Sequence, residues 1–259
     1  MRYLSLCAIA KNEAPYIWEW VLFHLGVGVD HIYLYDNDSA DLTIEWAKKA
    51  GGDRITIEKV PGKGQQIPTY HRCLKQYKND TRWMALLDCD EFLVPQKVDN
   101  VKEVLVGYEE FPGLCPHWLL FGSNGEVEYK PIPVVERFTK RGKDVNQFVK
   151  SIVDPQRTLK ASSPINSHKF IHSVGAAVRE NFQPLQQAEC TILPGVADII
   201  AINHYVTKSY GECLERRSKP TANLASMPER VMPAFFDGHN QNDVEDLRAL
   251  NLWRKICQQ

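Results

Sequence analysis

Short apolar runs alternate with amphipathic stretches through the first third of the chain. Tyr3 to Ala10 (YLSLCAIA) reads as a buried strand. Asn12 and Pro15 then open a helix through IWEWVLFHLG, where Ile17, Val21 and Leu25 share one face before Gly26. The alternation returns with a strand from His31 to Tyr35, a helix from Asp41 to Ala50 stopped by Gly51 and Gly52, and a strand from Arg54 to Val60. A helix from Thr69 to Tyr77 and the strand WMALL complete the series. Strands that alternate with helices predict a parallel sheet with right-handed crossovers, an α/β fold.

Beyond Pro95 the pattern loosens. Cys115 to Phe121 predicts a strand ending in the turn Gly122-Ser123-Asn124-Gly125, and Pro131 to Arg141 a short strand or helix entry. Lys150 to Val153, His168 to Val174 and Ala197 to Tyr205 predict further strands. Ser209-x-x-Glu212 is a capping box for a helix that Pro220 ends, and Asn242-x-x-Glu245 has the same form ahead of the last helix. The stretch Asp237 to Asn242 (DGHNQN) reads as a mobile lid hinged at Gly238. With no internal repeat or linker, 1–259 reads as one domain whose second half is less regular.

Polar residues gather where the strands end. Lys11, Asn12 and Glu13 follow the first strand, Asp36, Asn37 and Asp38 the second, Lys63, Gln65 and Gln66 the third, and Asp88, Asp90 and Glu91 the fourth. The carboxyl ends of an open parallel sheet form the rim of one crevice, the usual place for a nucleotide.

Composition narrows the partners. The 259 residues are 44% hydrophobic, enough for a sizeable core, and a formal net charge of -1 removes the electrostatic case for nucleic-acid binding. The first residues lack the apolar core and cleavage site of a secretory signal, and no run reaches membrane-spanning length. The expected location is the cytoplasm, with peripheral contact to the inner face of a membrane as a variant. Seven unpaired cysteines, none in a C-x-x-C, suit reduced and mostly buried thiols.

The run MALLDCDEFLVP carries the chemistry. If the strand continues past Leu87, Asp88 and Asp90 point together while Cys89 points inward. Carboxylates so close repel one another unless a cation or a tuned proton sits among them. Two hard oxygen ligands suit Mn²⁺ or Mg²⁺ that completes its shell from water and a substrate's phosphates. His204, at the end of the strand DIIAINHY, offers an imidazole as third ligand. Lys208, before the capped helix at Ser209, offers a positive charge to a diphosphate.

The string AKNEAPYIWEWVLFHLGVGVDHIYLYDNDSAD, then Gln66 with TYHRCL, WMALLDCDEFLVP, WLLFGSNG, VVERF, KSIVDP, HKF, INHYVTKSYGEC and FFDGHNQNDVEDLRAL resemble, in order, glycosyltransferases of the family 2-like and family 92 type. The resemblance implies a GT-A-like, Rossmann-type, mostly parallel sheet, with 1–95 as the nucleotide-binding half and 96–259 as the acceptor-binding half. It also implies a nucleoside-diphosphate sugar donor, a UDP-sugar favoured, a glycan or glycolipid acceptor, and Mn²⁺ or Mg²⁺ held by the D-x-D. Carried over by position, Asp88 and Asp90 match that pair, Asp36 the acid near the nucleoside, and His204 and Lys208 the H-Y-x-x-K-S segment. Asn12, Glu13, Asn37, Gln66, Tyr70 and Ser209 join Asp36, Asp88 and Lys208 as donor-binding expectations. His71 departs from the Asn common in relatives.

These families resemble inverting enzymes, in which a carboxylate takes the proton of the attacking hydroxyl. Glu136 in VVERF is the first expectation for that base, with Asp144 and Asp154 as alternatives. Trp118, Phe121, Ser123 and His168 are expected to line the sugar pocket. Arg216, Arg217 and Lys219 form a basic cluster able to meet a phosphate. The competing readings are a nucleotidyl- or phosphotransferase in the same crevice, for which KNEAP lacks a glycine-rich phosphate loop, and a non-catalytic carbohydrate-binding protein.

Overall fold

Alternate residues of the first strands enter two different cores, and this sets the layers. In β1 (Arg2–Ala10) the side chains of Leu4, Leu6 and Ala8 enter one core, and Cys7 enters another on the opposite face. The neighbours α1 (Ile17–Gly26), β2 (His31–Asp36), α2 (Thr43–Gly51), β3 (Ile55–Lys59), α3 (Gln66–Tyr77) and β4 (Thr81–Leu86) follow in the predicted alternation. Ile32, Leu34, Trp83 and Ala85 share the core of α1, whereas Tyr33, Tyr35, Met84 and Leu86 pack with Tyr70, Cys73 and Leu74 of α3. A sheet covered on both faces follows directly from this alternation. The computed structural model describes residues 1–163, 167–185, 194–218 and 232–258; Lys219 and Pro220 lie outside them.

The remaining elements are β5 (Glu91–Pro95), α4 (Val101–Leu105), β6 (Gly113–Leu114), β7 (Trp118–Leu120), α5 (Val134–Arg137), β8 (Lys140–Arg141) and β9 (Ser151–Val153). They continue through β10 (Thr158–Ala161), β11 (Phe170–His172), β12 (Ile200–His204), α6 (Tyr210–Ser218), α7 (Met232–His239), β13 (Val244–Glu245) and α8 (Arg248–Ile256). The main sheet has the order β3-β2-β1-β4-β9-β6. Its first four strands are parallel, and β9 pairs antiparallel with β4. A mixed α/β fold with a parallel-rich central sheet is thus observed as expected, and β9 carries a strand from beyond Pro95 into that sheet. A second sheet, β5-β12-β7, sets β12 antiparallel to β5.

Several local expectations are overturned. β4 ends at Leu86 and the chain turns through Cys89 and Asp90, so Asp88 and Asp90 are not alternate positions of one strand. Asn242 does not cap the last helix, because Val244–Glu245 is a strand paired with β8. Instead, Asp246 accepts from the Arg248 N–H at 3.1 Å at the true helix start. The stretch DGHNQN is pinned rather than hinged. Asn240 and Asn242 each accept a backbone N–H, from Ser123 and Asn124 respectively, at 2.8 Å. The six described cysteines are all free thiols, five of them buried. No helix among the described residues is long and apolar enough to cross a membrane.

Candidate active site

The turn after β4 and the pairing of β12 with β5 build the centre of the crevice. Glu91 opens β5 opposite His204, the last residue of β12, and the Tyr205 N–H donates to the Asp90 carbonyl at 2.9 Å. This pairing fixes Asp90 against His204, with Oδ1 3.6 Å from Nε2. That separation is too long for a hydrogen bond. His204 Nδ1 is buried without any hydrogen-bond partner, and the Trp118 ring lies 4.3 Å from the imidazole, centroid to centroid.

Asp88 turns to a different set of partners. Its Oδ1 accepts from the Gln66 amide at 2.5 Å and from the Tyr70 hydroxyl at 3.3 Å. Its Oδ2 accepts from Lys150 Nζ at 2.8 Å. Lys150 is fully buried and also lies 3.2 Å from Glu91 Oε2. The crowded carboxylates therefore have a cation of their own. Because β9 runs antiparallel to β4, residue 150 at its start arrives beside the carboxyl end of β4. Burial opposes the charge on Lys150, but Asp88 and Glu91 outweigh it and hold the ammonium above its ordinary pKa. Burial pushes Glu91 up to about 7 against the pull of Lys150. For Asp90 burial acts upward too, yet His204, Lys208 and Arg216 hold its carboxyl well below the usual range.

A cavity of about 90 Å³ opens beside Asp90, lined by Asn12, Glu13, Pro15, Tyr16, Lys208 and Arg216 among others. Arg216 pairs with Glu13 at 3.1 Å, and Lys208 Nζ sits 4.4 Å over the Tyr16 ring. Asn12, Asp38 and Lys208 all have positive φ, 57°, 57° and 51°. Asn and Asp tolerate this conformation, but for lysine it is uncommon and must be held in place. Glu212 supplies the hold. It accepts from Arg137 at 2.6 Å, from the Tyr16 hydroxyl at 2.9 Å and from the Ser209 hydroxyl at 2.5 Å, and Ser209 accepts from its N–H in the capping box foreseen from sequence.

The expected donor residues divide into two groups. Asn12, Glu13 and Lys208 border the cavity, and Gln66 and Tyr70 reach the site through Asp88. Asp36 accepts from the Ser39 N–H at 3.1 Å. Asn37 is buried and donates to the carbonyls of Val60 and Gly62, leaving its Oδ1 unpartnered. Ser209 is buried and spent on its cap. His71 accepts from the Ala161 N–H at 2.8 Å, tying α3 to β10.

The expected acceptor side is corrected in part. Trp118 and His168 do stand beside His204, their rings 5.0 Å apart. Phe121 is core, packed on Tyr205 at 4.8 Å, because the apolar strand turns it inward. Ser123 is buried in its turn, accepting from the Gly125 N–H. Glu136 is exposed, accepts from the Trp253 indole at 3.0 Å and does not line the cavity. Its neighbour Arg137 is buried on Glu212 and Glu126, so the two form no surface pair. Asp154 follows the far end of β9, toward the amino end of β4, ion-paired with Arg82 at 3.0 Å and Arg157 at 2.6 Å. Asp144 borders a separate open cavity of about 320 Å³ with Asn146. The Asn146 N–H donates to the Trp118 carbonyl, so this loop adjoins the wall next to His204.

Among the described residues no three His, Cys, Asp or Glu side chains cluster closely enough to hold a metal by themselves. The pair Asp90 and His204 nevertheless fits one. A carboxylate oxygen and an imidazole nitrogen face each other without a hydrogen bond, and that donor set suits a divalent ion completed by substrate oxygens. Lys150 was missed as a site residue because KSIVDP reads only as the start of a strand. Its role depends on which strand it pairs with.

The family model for glycosyltransferase family 92 matches residues 3–188. A family 92 protein of Oryza sativa subsp. japonica is 25% identical over 111 residues, 42% of this chain and 19% of that protein. One from Arabidopsis thaliana is 28% identical over 91 residues, 34% of this chain and 16% of the other. The matched stretch thus spans less than a fifth of these curated relatives. Among solved structures, TarS of S. aureus (residues 1–349) superimposes with a TM-score of 0.45 at 11% identity, covering 98% of this chain and 70% of that one. Glucosyl-3-phosphoglycerate synthase from Mycobacterium tuberculosis, crystallised with Mn²⁺, UDP and glucosyl-3-phosphoglycerate, gives a TM-score of 0.34 at 19% identity. That match covers 45% of this chain and 44% of the other.

Proposed function

The chain belongs to glycosyltransferase family 92, and on that footing we propose that its crevice moves a sugar from a nucleoside-diphosphate donor, a UDP-sugar by preference, to a glycan or glycolipid acceptor. The supporting observation is the Asp90–His204 pair, unbonded at 3.6 Å, with Lys208 and Arg216 beside it. Asp90 and His204 would hold a divalent cation, while Gln66 and Lys150 fix the Asp88 carboxylate through its own oxygens. The chemistry such a cation would supply is an electrostatic offset to the negative charge that grows on the departing diphosphate. Lys208 and Arg216 grip the same diphosphate, Arg216 by leaving Glu13, while Asp36 and the loop after β2 face the nucleoside.

The acceptor hydroxyl attacks the anomeric carbon on the face opposite the diphosphate. A new C–O bond forms, the C–O bond to phosphate breaks with its electron pair leaving on the diphosphate, and the hydroxyl proton passes to a carboxylate. Of the three carboxylates expected from sequence we keep Asp144, whose loop bonds to Trp118. The test is a thermal-shift titration with UDP, with and without Mn²⁺. UDP stabilises the wild type more with Mn²⁺ than without, Asp90→Asn loses the Mn²⁺ increment, and Asp144→Asn keeps it but does not turn over donor. An unchanged increment in Asp90→Asn removes Asp90 as a ligand.

A further inference from the structure

The two aspartates of the turn after β4 are unequal, and the cause is a lysine from the second half of the chain. We infer that Lys150 is a positioning residue of the donor site: by holding Asp88 it keeps that carboxylate out of a cation's shell, so that a divalent ion meets one carboxylate, Asp90, and binds firmly only in company with a diphosphate. The inference rests on the donor reading for the identity of the diphosphate, and on the geometry around Asp88 for the part played by Lys150.

Both oxygens of Asp88 are taken by donors of the protein itself. Oδ1 accepts from the Gln66 amide at 2.5 Å and from the Tyr70 hydroxyl at 3.3 Å, and Oδ2 accepts from the Lys150 ammonium at 2.8 Å. A carboxylate oxygen offers about two lone-pair sites, so Oδ1 is filled and Oδ2 faces a positive charge that repels a second cation. Gln66 and Tyr70 belong to α3, whereas Lys150 precedes β9, and Asp88 is clamped between the two. Lys150 has no exposed side-chain surface, and its other carboxylate, Glu91 at 3.2 Å, is equally buried. The ammonium therefore has no solvent to swing into, as a surface lysine has.

Asp90 stands apart from this clamp. Its Oδ1 faces His204 Nε2 at 3.6 Å, too long for a hydrogen bond. Two such ligand atoms fall short of the roughly six that a small hard cation takes, so oxygens of a diphosphate and of water would have to complete the shell. Lys150 has a physical use in this arrangement. With Asp88 free, the carboxylates of Asp88, Asp90 and Glu91 would attract a dication by themselves and retain it after the diphosphate had left. With Asp88 neutralised, ion and diphosphate are held as a unit and released as one.

The experiment measures Mn²⁺ binding to the full chain from the electron paramagnetic resonance signal of the free ion, with and without UDP. Wild type is expected to bind Mn²⁺ weakly alone and at least about tenfold tighter with UDP. The decisive protein carries Lys150→Met together with Glu91→Gln: it loses one positive and one negative charge, so the local charge matches wild type while Asp88 Oδ2 is released. Without UDP it is expected to bind Mn²⁺ at least about tenfold tighter than wild type, and adding Asp88→Asn is expected to return the affinity to the wild-type value. A purely structural lysine would leave Mn²⁺ affinity where it was. Equal affinity in wild type and the double variant overturns the inference, and so does a gain that survives Asp88→Asn. Where the double variant does not fold, Asp88→Asn alone decides: the Mn²⁺ increment with UDP is expected to persist there and to vanish in Asp90→Asn, and loss in both overturns the inference. Absence of a UDP increment in wild type instead overturns the donor reading, and the titrations with Mn²⁺ alone still report on Lys150.

Discussion

Removing Lys150 tests how the carboxylates at the end of β4 are reconciled. In Lys150→Met the stem is retained in volume and the ammonium is lost, leaving Glu91 fully buried and Asp88 with a side chain 35% exposed. Deleting one partner of a buried ion pair costs about 3–5 kcal/mol. Water reaches Asp88 and screens part of its charge, so the low end, about 3 kcal/mol, applies here. Unfolding entropy of about 2.1 cal/mol/K per residue, taken over 259 residues, amounts to about 0.54 kcal/mol/K. The melting temperature therefore falls by roughly 5–6 °C. Adding Glu91→Gln removes the second buried charge while keeping an oxygen to accept from the Asp88 N–H, a bond of 2.9 Å. About 2 kcal/mol of the loss returns in the double variant, a coupling that independent sites do not show. Thermal unfolding of the four proteins at pH 8 in EDTA provides the measurement. A Lys150→Met loss below about 1 kcal/mol, or a double variant no more stable than the single, would refute the view that Lys150 neutralises this cluster.

Glu19 and Lys208 give three further predictions. Glu19→Ala orphans the N–H groups of Val134 and Val135 at the start of α5, at a cost of about 2–4 kcal/mol in chemical denaturation. Burial pushes the Glu19 carboxyl up to about 7 from 4.5, so the folded chain keeps that proton longer than the unfolded chain and loses stability as pH rises between those values. Glu19→Gln is accordingly expected to flatten the fall of melting temperature from pH 4.5 to 7, and an unaltered slope counts against the assignment. Lys208→Gly relieves a left-handed backbone worth about 1–2 kcal/mol and loses a cation–π contact worth about 0.5–2 kcal/mol. Stability should stay within about 1 kcal/mol of wild type while stabilisation by UDP without metal disappears; retained stabilisation rules Lys208 out of the diphosphate site.

Some of the molecule is written locally and some is not. Continuous buried runs in YLSLCAIA, HIYLY and WMALL, alternating with helical faces, dictated a parallel sheet with its polar loops on one rim. The Ser209–Glu212 capping box was equally legible, since both partners lie within one helical turn. The partners of the site's charges were not. Asp88 and Asp90 look like one pair in sequence, and only the chain reversal into β5 sends the first to Lys150 and the second to His204, 62 and 114 positions away.

The same limit explains the misplaced residues. Glu136, Phe121 and Ser123 sit in suggestive strings, but the first bonds Trp253 and the others are buried in a core contact and a turn. Glu19, three residues past the cavity-lining Tyr16, reaches across to α5 in a way no spacing rule describes. Sequence by itself determined the layered α/β frame and the side of the sheet where chemistry gathers, because burial and capping act between near neighbours along the chain. Tertiary structure alone decided which cation meets which carboxylate, because charge acts through space and strand pairing fixes those distances.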